Sequence, residues 1–173
     1  MEATKDGSNS ICCDESRAPI VFHWYEDKTD PTPVETLKRL LAELSVRDFD
    51  IDRFVGDFRA RIKRATQGRL FPIDNVIGPM DLITNYQMFE IRWRFEYSQV
   101  SVVDDLEVQS DFEIRVRMYH VEPKMYRPTF VALHLHVKDT TDGVDVRGAQ
   151  DDEIRIADKR YWAGKESKWG IPA

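Results

Sequence analysis

The sequence predicts one α+β domain: an antiparallel-rich sheet with its helices on one face, in the order β-α-α-β-β-β-α. Three observations carry this. The stretches Phe89–Phe95, Ile114–Val121 and Phe130–Lys138 alternate apolar and polar residues, the period-two pattern of strands with one buried and one open face. Two stretches between residues 32 and 68 instead repeat apolar residues at helical spacing. At 173 residues and 42% hydrophobic content, the chain has the size of a single ordinary domain.

Residues 1–18 are polar and are expected to be a disordered leader. Ile20–Tyr25 reads as a first strand. Thr32, Pro33 and Glu35 then start a helix, with Thr as N-cap, Pro at the first helical position and Glu three residues after the cap. Its apolar stripe is Leu37, Leu40, Leu41 and Leu44. A second helix carries Ile51, Phe54, Val55, Phe58 and Ile62 on one face and stops near Gly68. Residues 69–87 read as a loop, punctuated by Pro72, Gly78 and Pro79.

In the strand Phe89–Phe95, the residues Phe89, Ile91, Trp93 and Phe95 point to a core, while Glu90, Arg92 and Arg94 point away. Residues 97–112 extend it into a hairpin around Asp104-Asp105. In the next strand Ile114, Val116 and Met118 face inward, leaving Arg115, Arg117 and Tyr119 outside. Pro123 and Pro128 bracket the turn into the central strand. There the alternation groups Val131, Leu133, Leu135 and Val137 against Phe130, Ala132, His134, His136 and Lys138. A loop follows Lys138, and Asp151 or Asp152 caps a last helix that ends near Gly164.

The net charge of −6 is local. Between Glu96 and Glu113 stand six acids and no Lys or Arg, so the rest of the chain is neutral overall. The adjacent Cys12 and Cys13 form no C-x-x-C spacing, so neither a disulfide framework nor a zinc knuckle is expected. No apolar run approaches the roughly 20 residues of a membrane span, and the leader lacks the apolar core of a signal peptide. A soluble, cytoplasmic protein is expected.

If the three central strands pair, their open face gathers Arg92, Arg94, Arg115, Arg117, Lys138, His134, His136 and Tyr119. This set binds anions and moves protons. Arginine and lysine neutralise phosphate oxygens, and a histidine with a pKa near 6.5 gives or takes a proton at neutral pH. The spacing His134-x-His136 also suits metal ligands, but no third ligand follows at short range, and no metal is expected. His23 and His120 read as structural residues, and Trp24, Trp93 and Phe95 as core.

The same strands resemble those of the RelE/HigB/ParE superfamily of toxins from type II toxin-antitoxin systems, in particular its HigB-like, phage-derived branch. FEIRW is similar to the family's "ELR" strand, with Glu90 and Arg92 at its Glu and Arg positions. IRVRMYHVEP resembles the "RVLY" strand through Arg115 and Tyr119. VALHLHVKD resembles "LLHGFVKK" through His134 or His136 and Lys138, and DDEIRIADKRYW the helix "IEIADRRY" through Ala157 and Arg160. The resemblance assigns residues 19–165 to the toxin domain, between the leader and a C-terminal tail at 166–173.

The resemblance implies a metal-independent endoribonuclease that needs no cofactor and cleaves mRNA, in some members on the ribosome, by 2′-hydroxyl attack on the neighbouring phosphorus. His134 or His136, Arg115, Lys138 and Tyr119 would be catalytic, and Arg92, Arg94 and Arg117 would bind RNA. The implied partners are mRNA and a cognate antitoxin protein. Two alternatives remain: a ParE-like gyrase inhibitor, and a non-enzymatic interaction module of phage or mobile-element origin that uses the acidic hairpin as its contact surface.

Overall fold

The computed structural model describes residues 5–138 and 145–172. Its elements are strand β1 (Val21–Trp24), helices α1 (Pro33–Glu43) and α2 (Asp48–Thr66), strands β2 (Val76–Ile77), β3 (Met88–Val103), β4 (Leu106–Val121) and β5 (Thr129–Val137), and helix α3 (Val146–Lys165). The sheet order is β1-β5-β4-β3-β2, with β1 parallel to β5 and all other neighbours antiparallel. The chain is therefore a single α+β domain with a mixed five-stranded sheet. The short strand β2 lies in the stretch read as loop, because two residues are too few to show a period.

The start of α1 forms as its sequence dictates: Thr32 Oγ1 accepts from the Glu35 amide at 3.1 Å, and Pro33 opens the helix. Leu37 and Leu41 bury completely. On α2, Phe54 stacks on Phe95 of β3 and Phe58 on Trp93, with ring centres 4.5 and 4.7 Å apart. Trp24, Trp93 and Phe95 are core, as expected.

The helices do not share one face. α1 and α2 pack over Phe89, Ile91, Trp93, Phe95, Val116, Met118, Phe130 and Leu135. α3 sets Ile154, Ala157 and Tyr161 against Val131, Leu133 and Val121, which belong to a second core on the other side. The sheet thus has two cores, and α3 covers only the β4–β5 part of the second face.

An irregularity in β5 makes this possible. Tyr119 pairs with His134 but His120 pairs with Ala132, so Leu133 is an extra residue between the two pairings. The alternation inverts there. Phe130, Ala132, Leu135 and Val137 face α1 and α2, whereas Val131 and Leu133 face α3. The predicted grouping of Val131 and Leu133 with Leu135 and Val137 is corrected by this one-residue shift.

Both ends of the domain also differ from expectation. The described part of the leader is ordered, with 3₁₀ turns at Ile11–Cys13 and Glu15–Arg17 capped by Ser10 and Asp14. Cys12 is fully buried, and its carbonyl accepts from the Leu70 amide at 2.9 Å. Helix α3 begins earlier than predicted, with Asp145 Oδ1 accepting from the Gly148 amide at 3.0 Å. Residues 139–144 of the predicted loop lie outside the described residues. In the tail, Trp169 is buried and its Nε1 donates to the Tyr161 carbonyl at 3.2 Å. Among the described residues, no helix is long and apolar enough to cross a membrane.

Gly68 closes α2 at φ +67°, and a Cβ there would lie 2.2 Å from the Asp14 carbonyl oxygen. Gly56, inside α2, has open space around it. Gly68→Ala is therefore expected to lower the urea unfolding free energy by more than about 1 kcal/mol, and Gly56→Ala to raise it by about 0.4–1 kcal/mol. Equal effects from the two substitutions would contradict the close packing of the leader on α2.

Candidate active site on the open sheet face

The registers of β3, β4 and β5 arrange the polar residues of the second face in rows. Glu90, Tyr119 and His134 form the first row and Arg92, Arg117 and His136 the second. Arg94 and Arg115 form the third, with Lys138 beside them through its amide, which donates to the Arg115 carbonyl at 2.7 Å. The bulge at Leu133 aligns the histidines with the arginines. Without it His134 and His136 would share the side of Phe130 and Ala132.

Like charges face each other in the second and third rows, an arrangement that destabilises a strand pair unless acids intervene. Glu90, in the first row, is fully buried beside the arginines of the second. It accepts from Arg92 Nε at 2.8 Å, lies 3.3 Å from Arg117 Nη1, and accepts from Gln150 Nε2 of α3 at 3.3 Å. Glu113 braces the third row, 2.6 Å from Arg94 Nε and paired with Arg115 as well. Those two arginines hold its carboxyl below the usual range, Arg115 the more strongly. Among the described residues, Lys138 has no acid within ion-pair distance. Partial burial, then the nearby Arg117 and Arg115, push its ammonium group down.

The two histidines are separated in role by their surroundings. His134 is partly exposed and pairs through Nε2 with Glu153 of α3. That hydrogen bond is the main cause of a lowered Glu153 pKa. His136 is nearly buried: Nδ1 lies 3.3 Å from the Val137 carbonyl, so this nitrogen is the donor, and Nε2 accepts from the Tyr119 hydroxyl at 3.3 Å. Burial pushes its pKa down to about 4, against the pull of the Glu153 charge. Tyr119 is fully buried, and burial followed by the charge of Glu90 raises its pKa. It has no exposed face on which an RNA base could stack, and its hydroxyl meets His136 instead.

Beyond the end of β2, a groove of about 500 Å³ is lined by Arg61, Asn75, Arg92, Arg94, Arg115 and Arg117, among others. This is the scale of a small-molecule or nucleotide site. A smaller hollow of about 60 Å³ lies between His136, Lys138, Gln150 and Glu153. Its depth admits little more than a water or two. The predicted site residues thus share one face. Those that sequence reasoning missed, Glu153, Gln150, Arg61 and Asn75, come from helices and a loop whose approach to the sheet has no local signature.

The acidic segment divides. Glu96 and Glu113 pair with the arginines, but the turn at Asp104-Asp105 ends a hairpin that continues to the tips of β3 and β4. Asp104 lies ten residues along the chain from Arg94, about 33 Å of strand at roughly 3.3 Å per residue. The tip acids therefore stand away from the basic face. His23 is structural as predicted, donating from Nε2 to the Trp169 carbonyl at 2.6 Å. His134 and His136 belong to no grouping of three metal-ligating side chains among the described residues. Comparison of the chain with protein-family models, curated proteins and solved structures found no match.

The low pKa of His136 makes a sign-specific prediction. Between about 4 and 6.5 the unfolded chain binds a proton at this position and the folded chain does not, so stability falls as pH drops through that window. The loss reaches up to about 3 kcal/mol by pH 4. His136→Gln should flatten this part of the stability curve measured by urea unfolding. An unchanged slope would show that His136 is not held neutral.

Proposed function

We propose that this chain is a metal-independent endoribonuclease of the kind its strand motifs resemble, acting on mRNA at the open face of β3, β4 and β5. The observation that carries the reading is the His134–Glu153 pair on the same face as Arg92, Arg115, Arg117 and Lys138. His134 is the proton-transfer residue. Its Nε2 faces a carboxylate and it remains partly exposed, whereas His136 is buried and held neutral. In the reaction a base takes the ribose 2′-hydroxyl proton, O2′ attacks phosphorus, and the P–O5′ bond breaks as the departing oxygen receives a proton. The products are a 2′,3′-cyclic phosphate and a 5′-hydroxyl. The arginines and Lys138 neutralise the charge that builds on the phosphorane oxygens.

A second reading is favoured by the hairpin. Val100, Val102, Val103, Leu106, Val108 and Phe112 are exposed along its outer half, more apolar surface than a solvated arm requires. In that reading the chain is a protein-interaction module and the basic face is inert. The toxin reading in turn requires a cognate inhibitor protein, which co-expression with each neighbouring reading frame would identify by rescue of growth.

RNA cleavage by the purified chain separates these readings. His134→Ala is expected to lower the rate by about 10²- to 10⁴-fold. Arg115→Ala, on the central strand, should cost on the order of 2–4 kcal/mol in the transition state, and Arg94→Ala, more exposed at the edge, less. Absence of cleavage on free RNA and on translating ribosomes, or equal rates for the wild type and His134→Ala, would leave the interaction module as the better reading.

A further inference from the structure

On the opposite face from the arginines, His120 sits between the rings of Phe89 and Phe130, at 5.7 and 5.4 Å. Three ionisable side chains meet in this apolar setting. Cys12 Sγ lies 3.9 Å from His120 Nε2, and Nε2 lies 3.1 Å from Glu122 Oε1. All three ligand atoms fall within 4.8 Å of one another, with Cys12 and His120 fully buried and Glu122 nearly so. Ser10 Oγ donates to Glu122 Oε1 at 2.5 Å, and the Ile11 amide donates to Oε2 at 3.1 Å.

A nucleophilic triad does not account for this geometry. In such a triad the two imidazole nitrogens face different partners, but here Cys12 and Glu122 both face Nε2, and Nδ1 has no hydrogen-bond partner. The buried thiol is also closed to any substrate. All the polar interactions of the ring are gathered at one edge, where a sulfur and a carboxylate converge. Adjacent vertices of a tetrahedral zinc site, with bonds of about 2.0 to 2.3 Å, stand roughly 3.3 to 3.6 Å apart. The observed separations bracket that value. Charge points the same way: a thiolate, a carboxylate and a neutral imidazole balance a divalent cation, and among the described residues no Lys or Arg pairs with Glu122.

We propose that Cys12, His120 and Glu122 hold a structural zinc ion that fastens the leader to β4, with the Ser10 hydroxyl beside the remaining coordination position. The thiol and the imidazole are 108 residues apart in sequence, so the ion closes a long loop and adds to folding stability. Without a cation, burial and the Glu122 charge push the Cys12 thiol well up. A bound metal reverses this, because a coordinating thiol is deprotonated. Neighbouring Cys13 is half-buried, stands outside the grouping, and serves as the control.

The test uses the full-length protein purified without chelator. Metal analysis should find zinc equimolar with the chain. After chelator treatment, added cobalt(II) should produce a thiolate-to-cobalt charge-transfer band in the near ultraviolet and raise the melting temperature. Cys13→Ser should keep both responses, Cys12→Ser should lose both, and Glu122→Gln should weaken cobalt binding at least tenfold. The proposal is overturned if the wild type contains no zinc and gives no thiolate band. A band that persists in Cys12→Ser, or disappears in Cys13→Ser, overturns it equally. Should Cys12→Ser fail to fold, the wild-type band and its retention in Cys13→Ser still decide. None of these readouts involves RNA.

Discussion

The arrangement of both faces of the sheet depends on one residue, Leu133, which strand pairing leaves over, and on the side chain that holds it in place. Arg160 of α3 donates to the Leu133 carbonyl, to the Tyr25 carbonyl beyond β1, and to Asp27. The extra residue inverts the alternation of β5, and a guanidinium with donors in a fixed fork fastens it to β1. Burial lowers the Arg160 pKa despite the opposing pull of Tyr25, and its hydrogen bonds go to two carbonyls and a carboxylate. His134 and His136 therefore join Arg92 and Arg117, while Leu135 and Val137 remain on the α1–α2 core.

Once the histidines are on that face, its electrostatics follow from where the acids are buried. A sheet that sets Arg92 against Arg117 and Arg94 against Arg115 would repel itself. Glu90 and Glu113, two or three residues away on the same face, turn the repulsion into a chain of shared carboxylates. Arg94 and Arg115 keep much of their side-chain surface toward solvent, whereas Arg117 is buried beside Glu90 and Arg92 is only partly exposed. The cluster is therefore a structural brace, and its exposed arginines are what the proposed phosphate contact would use. α3 completes it by supplying Glu153 to His134 and Gln150 to Glu90.

Much of this was legible in the sequence wherever the signal is local. The cap at Thr32, the apolar faces of α1 and α2, the hairpin turn at Asp104-Asp105 and the basic face of β3 and β4 all come from patterns a few residues long. What escaped depends on distant partners. The bulge at Leu133 has no glycine to announce it, so plain alternation groups Val131 and Leu133 with Leu135 and Val137. Cys12 looks like part of a polar leader until Leu70, His120 and Glu122 surround it. α3 shows no strong apolar stripe at its first turns, so the sequence signals its start only at Asp151 or Asp152, and nothing local ties Glu153 to His134.

In the proposed reaction the three rows act as one phosphate-handling site. Its most direct measurement is an NMR titration of the side-chain nitrogens with an oligonucleotide whose cleavage-site 2′-hydroxyl is replaced by hydrogen, so that it binds without reacting. The His134 ring and the Nε signals of Arg92, Arg115 and Arg117 should shift together and saturate at a common concentration. Signals that stay fixed there, or that move only along the hairpin from Tyr97 to Phe112, would contradict it.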